Sequence, residues 1–165
     1  INCDMASGRI RKVDNNHEFV LAFASETAID RDIVIRDDDI DNLKRSKGAI
    51  YSAIISILNK VGKDMTDVKK VYIAGGFGNY LNIENSIFIG LLPDIERSVY
   101  EFVGNSSLAG ARMSLLSHEA FEATDKIHKN ITYLDLAAEP GYMDEYIAAL
   151  FFPHTDIGRF PSVRL

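Results

Sequence analysis

The chain has 165 residues, 47% hydrophobic and 25% charged, with a formal net charge of −6 at pH 7. These values exclude a disordered polypeptide and allow one domain that buries roughly 70% of its unfolded surface. No basic block argues for nucleic acid and no apolar run nears the roughly 18 residues of a membrane span, while the lone Cys3 excludes a disulfide framework and suits a reducing cytoplasm.

The chain opens INCDMASGRI, with no initiator Met and no signal peptide, and Ser7-Gly8 is turn chemistry. The expectation is a fragment of a larger protein that begins inside a domain. EFVLAFA (18–24) and DIVIR (32–36) are β-rich and bounded by polar stretches, which predicts two paired strands. In DDDIDNLKRSKGAIYSAIISILNKVG, acidic residues crowd the start, where a helix dipole favours them. Ile40, Leu43, Ile50, Ile54, Ile57, Leu58 and Val61 then recur at helical spacing up to a stop at Gly62. This predicts a helix of about 24 residues, about 36 Å long.

KKVYIAGG reads as a buried strand, NIENSIFIGLL as a short helix closed by Gly90 and Pro93, and VYEFVGN as another strand. One or two helices cover SSLAGARMSLLSHEAFEATDKIHKN, ITYLDLA reads as a strand and MDEYIAALFF as a helix. The turn-rich tail PHTDIGRFPSV is expected to pack back as an ordered arm. Strands alternating with helices from Val71 onward argue for an α/β fold over a sandwich or a bundle.

Three stretches carry chemistry. Gly75-Gly76-Phe77-Gly78 follows a strand, and three glycines in four positions require either a tight turn or the close approach of a ligand. Ligands of α/β sheets sit beyond the carboxyl ends of strands, where this turn lies. The cluster is neither the six-residue dinucleotide fingerprint nor a P-loop, since no Gly-Lys-Ser/Thr follows. Lys44, Lys47 and Tyr51, at i, i+3 and i+7 of the long helix, share a face. That face is either a solvated one beside the apolar stripe or a surface that stacks and pins an adenine and its ribose. In VGNSSLAGARM, Gly104-Asn105 is a turn, Asn105 or Ser106 caps a helix, and Gly110 marks either tight helix packing or a hinge between lobes. His17, His118, His128 and His154 show no metal-ligand spacing, so no metal site is expected and no catalytic residue is assigned.

Taken in order, ASETAIDRDIVI, DIDNLKRSKGAIYSAI, VYIAGGFGNYLNIENSIFIGLLPDI, FVGNSSLAGARMSLLS and FFPHTDIGRFPSV resemble the C-terminal part of the reductive activators of corrinoid proteins. These are ATP-dependent iron-sulfur proteins that restore the Co(I) state in methyltransferase systems. The resemblance spans nearly the whole chain and implies the superfamily of acetate and sugar kinases, heat-shock chaperones and actin. The implied fold is a ribonuclease-H-like lobe, a mixed sheet flanked by helices, with residues 1–165 as a single domain forming the second lobe of an ATP-binding domain. It also implies that Ala74, Gly75, Gly76, Phe77, Gly78 and Asn79 form the adenosine motif. Lys44, Lys47 and Tyr51 then occupy positions that contact adenine and ribose in chaperone relatives. Gly104, Asn105, Ser107 and Gly110 fall in the second connecting segment, the hinge at which the lobes move.

The superfamily's phosphate-binding Asp-x-Gly hairpins and its Gly-Ser-Gly-like turn are not found here, nor are the cysteines of an N-terminal [2Fe-2S] domain. The expectation is therefore the adenosine half of a site for ATP with Mg, in a fragment that is inactive alone. A corrinoid protein is the implied partner, in the cytoplasm, and a homodimer is compatible with the resemblance. Two alternatives are an activator of 2-hydroxyacyl-CoA dehydratase, whose [4Fe-4S] cluster would need suitably placed cysteines, and a non-catalytic interaction module whose glycines are only turns.

Overall fold

The structure, a computed structural model, describes residues 8–164 apart from 15 and 77, and leaves out the side chain of Asn79. Cys3 and Phe77 thus lie outside the described residues. The chain divides into two compact units, Ile1–Ser46 and Lys47–Leu165, with the boundary inside one continuous helix.

The first unit is built on an antiparallel sheet of β1 (Ile10–Val13), β2 (Asn16–Ala22) and β3 (Ile33–Arg36), with β2 in the middle. The β2–β3 pairing matches the sequence expectation, with a register shift between Val20 and Ala22. β1 was not foreseen. Its sequence, IRKV, alternates too little to read as a strand, yet Ile10 to Val13 pair with Phe19 to Asn16. Val20 and Glu18 are the buried side chains of β2. Glu18 tolerates burial because Arg11 and Arg36 both reach its carboxylate.

Helix α1 spans Asp37–Lys60, the 24 residues anticipated. The Asp39 carboxylate accepts the Arg36 N–H at 2.9 Å near its start. At its end the Lys63 N–H reaches the Leu58 carbonyl at 2.9 Å across Gly62, whose φ of +65° is left-handed. This is the glycine-terminated helix end that the sequence signals.

The second unit carries two parallel strands, β4 (Val71–Ala74) and β5 (Tyr100–Gly104), linked through α2 (Ile83–Phe88). β4 is not the fully buried strand expected. Val71 and Ile73 pack on the core, whereas Tyr72 on the opposite face is 62% exposed. Residues 106–130 form two helices, α3 (Ser106–Leu116) and α4 (His118–Asn130), broken where Ser117 turns extended and caps α4. ITYLDLA is not a strand. Residues 131–135 have no regular structure and lead into a 3-10 turn at Leu136–Ala138, with Ile131 and Tyr133 exposed. Its β-branched and aromatic content misleads because no strand among the described residues pairs with it.

Helix α5 (Tyr142–Ala148) is followed by the tail, which packs back as anticipated. Phe160 and His154 are buried, and Phe160 joins Tyr51, Ile87, Leu92, Tyr100 and Ala149 in the core. Farther along, the Ser162 N–H donates to Asp94 at 2.7 Å. Asp156-Ile157-Gly158, which has the letters of a phosphate hairpin, is a 3-10 turn capped by the Asp156 carboxylate on the Gly158 N–H. No helix among the described residues is long and apolar enough to cross a membrane.

Candidate functional site

Parallel pairing of β4 with β5 brings two glycine turns side by side. Ala74 stands opposite Gly104 in the ladder, so both strands reach their carboxyl ends together. The Gly75 N–H donates to the Gly104 carbonyl at 2.7 Å, which ties the glycine cluster directly to the segment expected to be a hinge. Beyond Gly104, the Asn105 side chain accepts the Leu108 N–H at 3.0 Å and caps α3, fulfilling one of the two caps the sequence allows.

The glycines serve different ends. Gly75 and Gly104 have φ of +91° and +66°, a left-handed backbone that disfavours a side chain. A Cβ on Gly78 would stand 2.7 Å from the Ile73 side chain, so packing fixes that residue. Gly76 has neither constraint: its φ is not left-handed, and a Cβ there would meet no atom within 4 Å. Nothing in the described chain requires glycine at 76, and the space in front of its backbone is open. Gly110 is similar, as a Cβ there meets nothing within 4 Å. The close contact with another element expected at Gly110 is absent among the described residues.

Lys44, Lys47 and Tyr51 are on one helix, as read from the sequence, but not in one environment. Lys44 is partly exposed and pairs with Asp41 at 3.0 Å. Lys47 is fully buried. Its Nζ donates to the Phe151 carbonyl and, at 2.6 Å, to the Pro153 carbonyl, and it lies 5.3 Å from the centre of the Phe152 ring. The ammonium placed on a ribose by the family resemblance is thus engaged by the tail. A buried cation needs acceptors, and residues 151–153 supply them. Desolvation still pushes its pKa down to about 8.

Tyr51 is 2% exposed and packs against the rings of His154 and Phe160, each with centroids 5.4 Å away. Burial raises its pKa, tempered by the Arg159 guanidinium beside its hydroxyl. Around it stands a cluster that the sequence did not reveal. Arg159 donates to Glu145 at 2.6 Å, and His154 Nε2 lies 3.3 Å from the same carboxylate oxygen. The Asp156 N–H donates to His154 Nδ1, so the imidazole is neutral with its proton on Nε2, and burial depresses its pKa. The turn residues of the tail signalled order in this segment, though not these partners.

The arrangement at the carboxyl ends of β4 and β5 offers a floor of bare backbone at Gly75, Gly76 and Gly104, a cradle that side chains would fill. A flat ring system fits such a floor. A cluster does not fit this chain, because one cysteine cannot supply four thiolates. Among the described residues no group of three or more His, Cys, Asp or Glu is placed to hold a metal ion.

Comparisons with known proteins agree with the sequence resemblance. The family described as the C-terminal domain of RACo, the ASKHA domain, matches residues 1–164. The corrinoid activation enzyme RamQ of Eubacterium limosum is 33% identical over 142 residues, covering 85% of this chain and 24% of that protein. A reductase of a methylated-amine-specific Co(II) corrinoid protein from Methanosarcina barkeri is 27% identical over 122 residues, 73% of this chain and 22% of that protein. A solved reductive activator for a corrinoid, iron-sulfur protein superposes with a TM-score of 0.90 at 46% identity, over 99% of this chain and 26% of the other. The chain therefore spans about a quarter of the length of these relatives.

Proposed function

The chain belongs to the family of C-terminal ASKHA domains of RACo, and from that premise we propose that it supplies the adenosine-binding part of the ATP site in a reductive activator of corrinoid proteins. The whole protein would use ATP with Mg to drive the return of a corrinoid cobalt to Co(I) in the cytoplasm, with a [2Fe-2S] cluster carried elsewhere in the polypeptide delivering the electron. Its relatives are named for corrinoid activation and reduction, which supports a corrinoid protein as partner.

The observation that carries the reading is Gly76, a glycine with open space before it that neither its backbone angles nor its neighbours demand. In this reading Ala74 to Asn79 form the floor under the adenosine. Gly104, Asn105, Ser107 and Gly110 form the segment that moves as the lobes close. Because the Gly75 N–H holds the Gly104 carbonyl, a nucleotide resting on the first turn bears on the second, and lobe closure then needs only contacts that differ between the open and closed states.

The test is Gly76→Val in the full-length activator. No atom of the described chain obstructs the new side chain, so thermal stability should stay within about 0.5 kcal/mol of wild type, as for an unobstructed surface substitution. ATP affinity should fall at least about tenfold, a change of about 1.4 kcal/mol, and corrinoid activation should fall with it. Unchanged nucleotide affinity would overturn the assignment.

A further inference from the structure

Helix α1 is apolar on two sides, and the core uses one of them. Tyr51 is buried in the core and Ile55 packs against it. Ile50 precedes Tyr51 in the same helix, so the two side chains point about 100° apart. Ile50 belongs to a second stripe, made of Leu43, Ile50, Ile54 and Ile57. Leu43, Ile50 and Ile57 recur every seven residues, and Ile54 falls between the last two. That three-four spacing is the seam by which a helix packs along another helix.

The seam is uncovered. Leu43, Ile50 and Ile57 are 43%, 46% and 51% exposed, a line of large apolar side chains half open to water. The segment from Gly48 to Asn59 holds no charged residue. A helix side that works in water carries polar and charged groups, and an apolar line in their place marks a contact surface. Ser46 and Ala53 flank the stripe, so no long side chain there holds a partner helix away.

The distribution of charge selects the partner. The first turn of α1 carries Asp37, Asp38 and Asp39, whereas its last turn carries Lys60, with Lys63 just beyond. A second copy laid antiparallel, with Ile50 on the two-fold axis, sets Leu43 opposite Ile57 in both halves and Ser46 opposite Ile54. The same superposition brings the aspartates of each copy to the lysines of the other and opposes the two helix dipoles. Parallel copies would set aspartates against aspartates. These charges already have contacts within the chain, as Asp37 accepts the His17 N–H at 2.9 Å and Lys60 pairs with Glu139 at 2.8 Å. The ends therefore set direction, and the apolar stripe holds. We propose that this side of α1 is the contact surface of a two-fold, antiparallel dimer of this chain. The nucleotide reading plays no part in it.

Sedimentation equilibrium on the 165-residue chain and on the full-length activator reads the association, and both are expected to dimerise. Ile50→Glu and Ile50→Lys each bring like charges together at the axis. Either should weaken self-association at least about tenfold, with the far-UV circular dichroism unchanged because the side chain is half exposed. Mixed in equal amounts, the two variants should associate again, because opposite charges then meet across the axis. Direction is read by cross-linking the chain in a Cys3→Ser background, which removes its one native cysteine. Leu43→Cys mixed with Ile57→Cys should form a disulfide on mild oxidation, and Leu43→Cys alone should not. Monomeric wild-type proteins, a dimer that Ile50→Glu leaves intact, no rescue on mixing, or Leu43→Cys cross-linking to itself would each overturn the proposal. A full-length activator that stays monomeric while the isolated chain dimerises would overturn it too, and would assign the stripe to another part of the same polypeptide.

Discussion

Lys47 shows how little a local pattern says about the partners of a buried charge. Its position beside Lys44 and Tyr51 suggests a face turned toward a ligand, and nothing within those few residues says otherwise. The carbonyls that take its ammonium belong to Phe151 and Pro153, more than a hundred residues along the chain. No local pattern announces a partner so distant. The same holds for Glu18 and its two arginines, and for the His154, Glu145 and Arg159 cluster. Burial of charge is a tertiary event, while the glycines at 75 and 104 announce themselves because their constraint is in the backbone. The buried ammonium makes a pH prediction. Its pKa is about 8 in the fold against 10.5 ordinarily. Between those values the unfolded chain holds a proton that the folded chain has released, so stability attributable to this group rises with pH across that window, by at most about 1.4 kcal/mol per pH unit. Its neighbour His154 is already held neutral, chiefly by burial, and does not titrate there. Urea unfolding of wild type and Lys47→Met between pH 7.5 and 10.5, roughly the window those values define, should show wild type gaining on the variant as pH rises. A constant difference would mean that the ammonium is not desolvated.

At the scale of elements, legibility followed periodicity and punctuation. Helix α1 was legible to its ends because an acidic start, an apolar stripe and a terminal glycine all agree. β1 was not, since a four-residue polar strand owes its existence to β2 beside it. ITYLDLA failed in the opposite way, with strand composition and no partner. The tail was legible as ordered, yet its close approach to Gly90, in the turn after α2, was not. A Cβ on Gly90 would come within 2.1 Å of the Pro153 carbonyl oxygen, and its φ of +75° already disfavours a side chain. Gly90→Ala should therefore displace the arm and destabilise the unit by about 2–3 kcal/mol. Gly104→Ala, equally left-handed at +66° but with nothing within 4 Å, should cost only the backbone term of about 1–2 kcal/mol. Chemical denaturation of the two variants, with limited proteolysis near residues 151–160 as a second readout, checks the order. Equal losses would show that the arm does not depend on the close approach at Gly90.

For the molecule as a whole, the question is how much of an ATP site one chain of this kind can be. The bare backbone at Gly75, Gly76 and Gly104 suits the flat, uncharged end of a nucleotide. The triphosphate is another matter. Holding it takes charge-assisted hydrogen bonds and backbone amides, each charged contact contributing about 1.5–3 kcal/mol. The one Asp-x-Gly in this sequence, Asp156-Ile157-Gly158, is a capped 3-10 turn whose aspartate is bound to its own backbone and paired with Arg159. Two missing phosphate contacts would cost about 3–6 kcal/mol, a factor beyond a hundred in affinity. Calorimetry should accordingly find ATP binding to the 165-residue chain at least about a hundredfold weaker than to the full-length activator, with adenosine and ATP nearly equal on the chain alone because the same floor holds both. Micromolar ATP affinity for the isolated chain, with adenosine far weaker, would mean that this chain contains a phosphate site of its own.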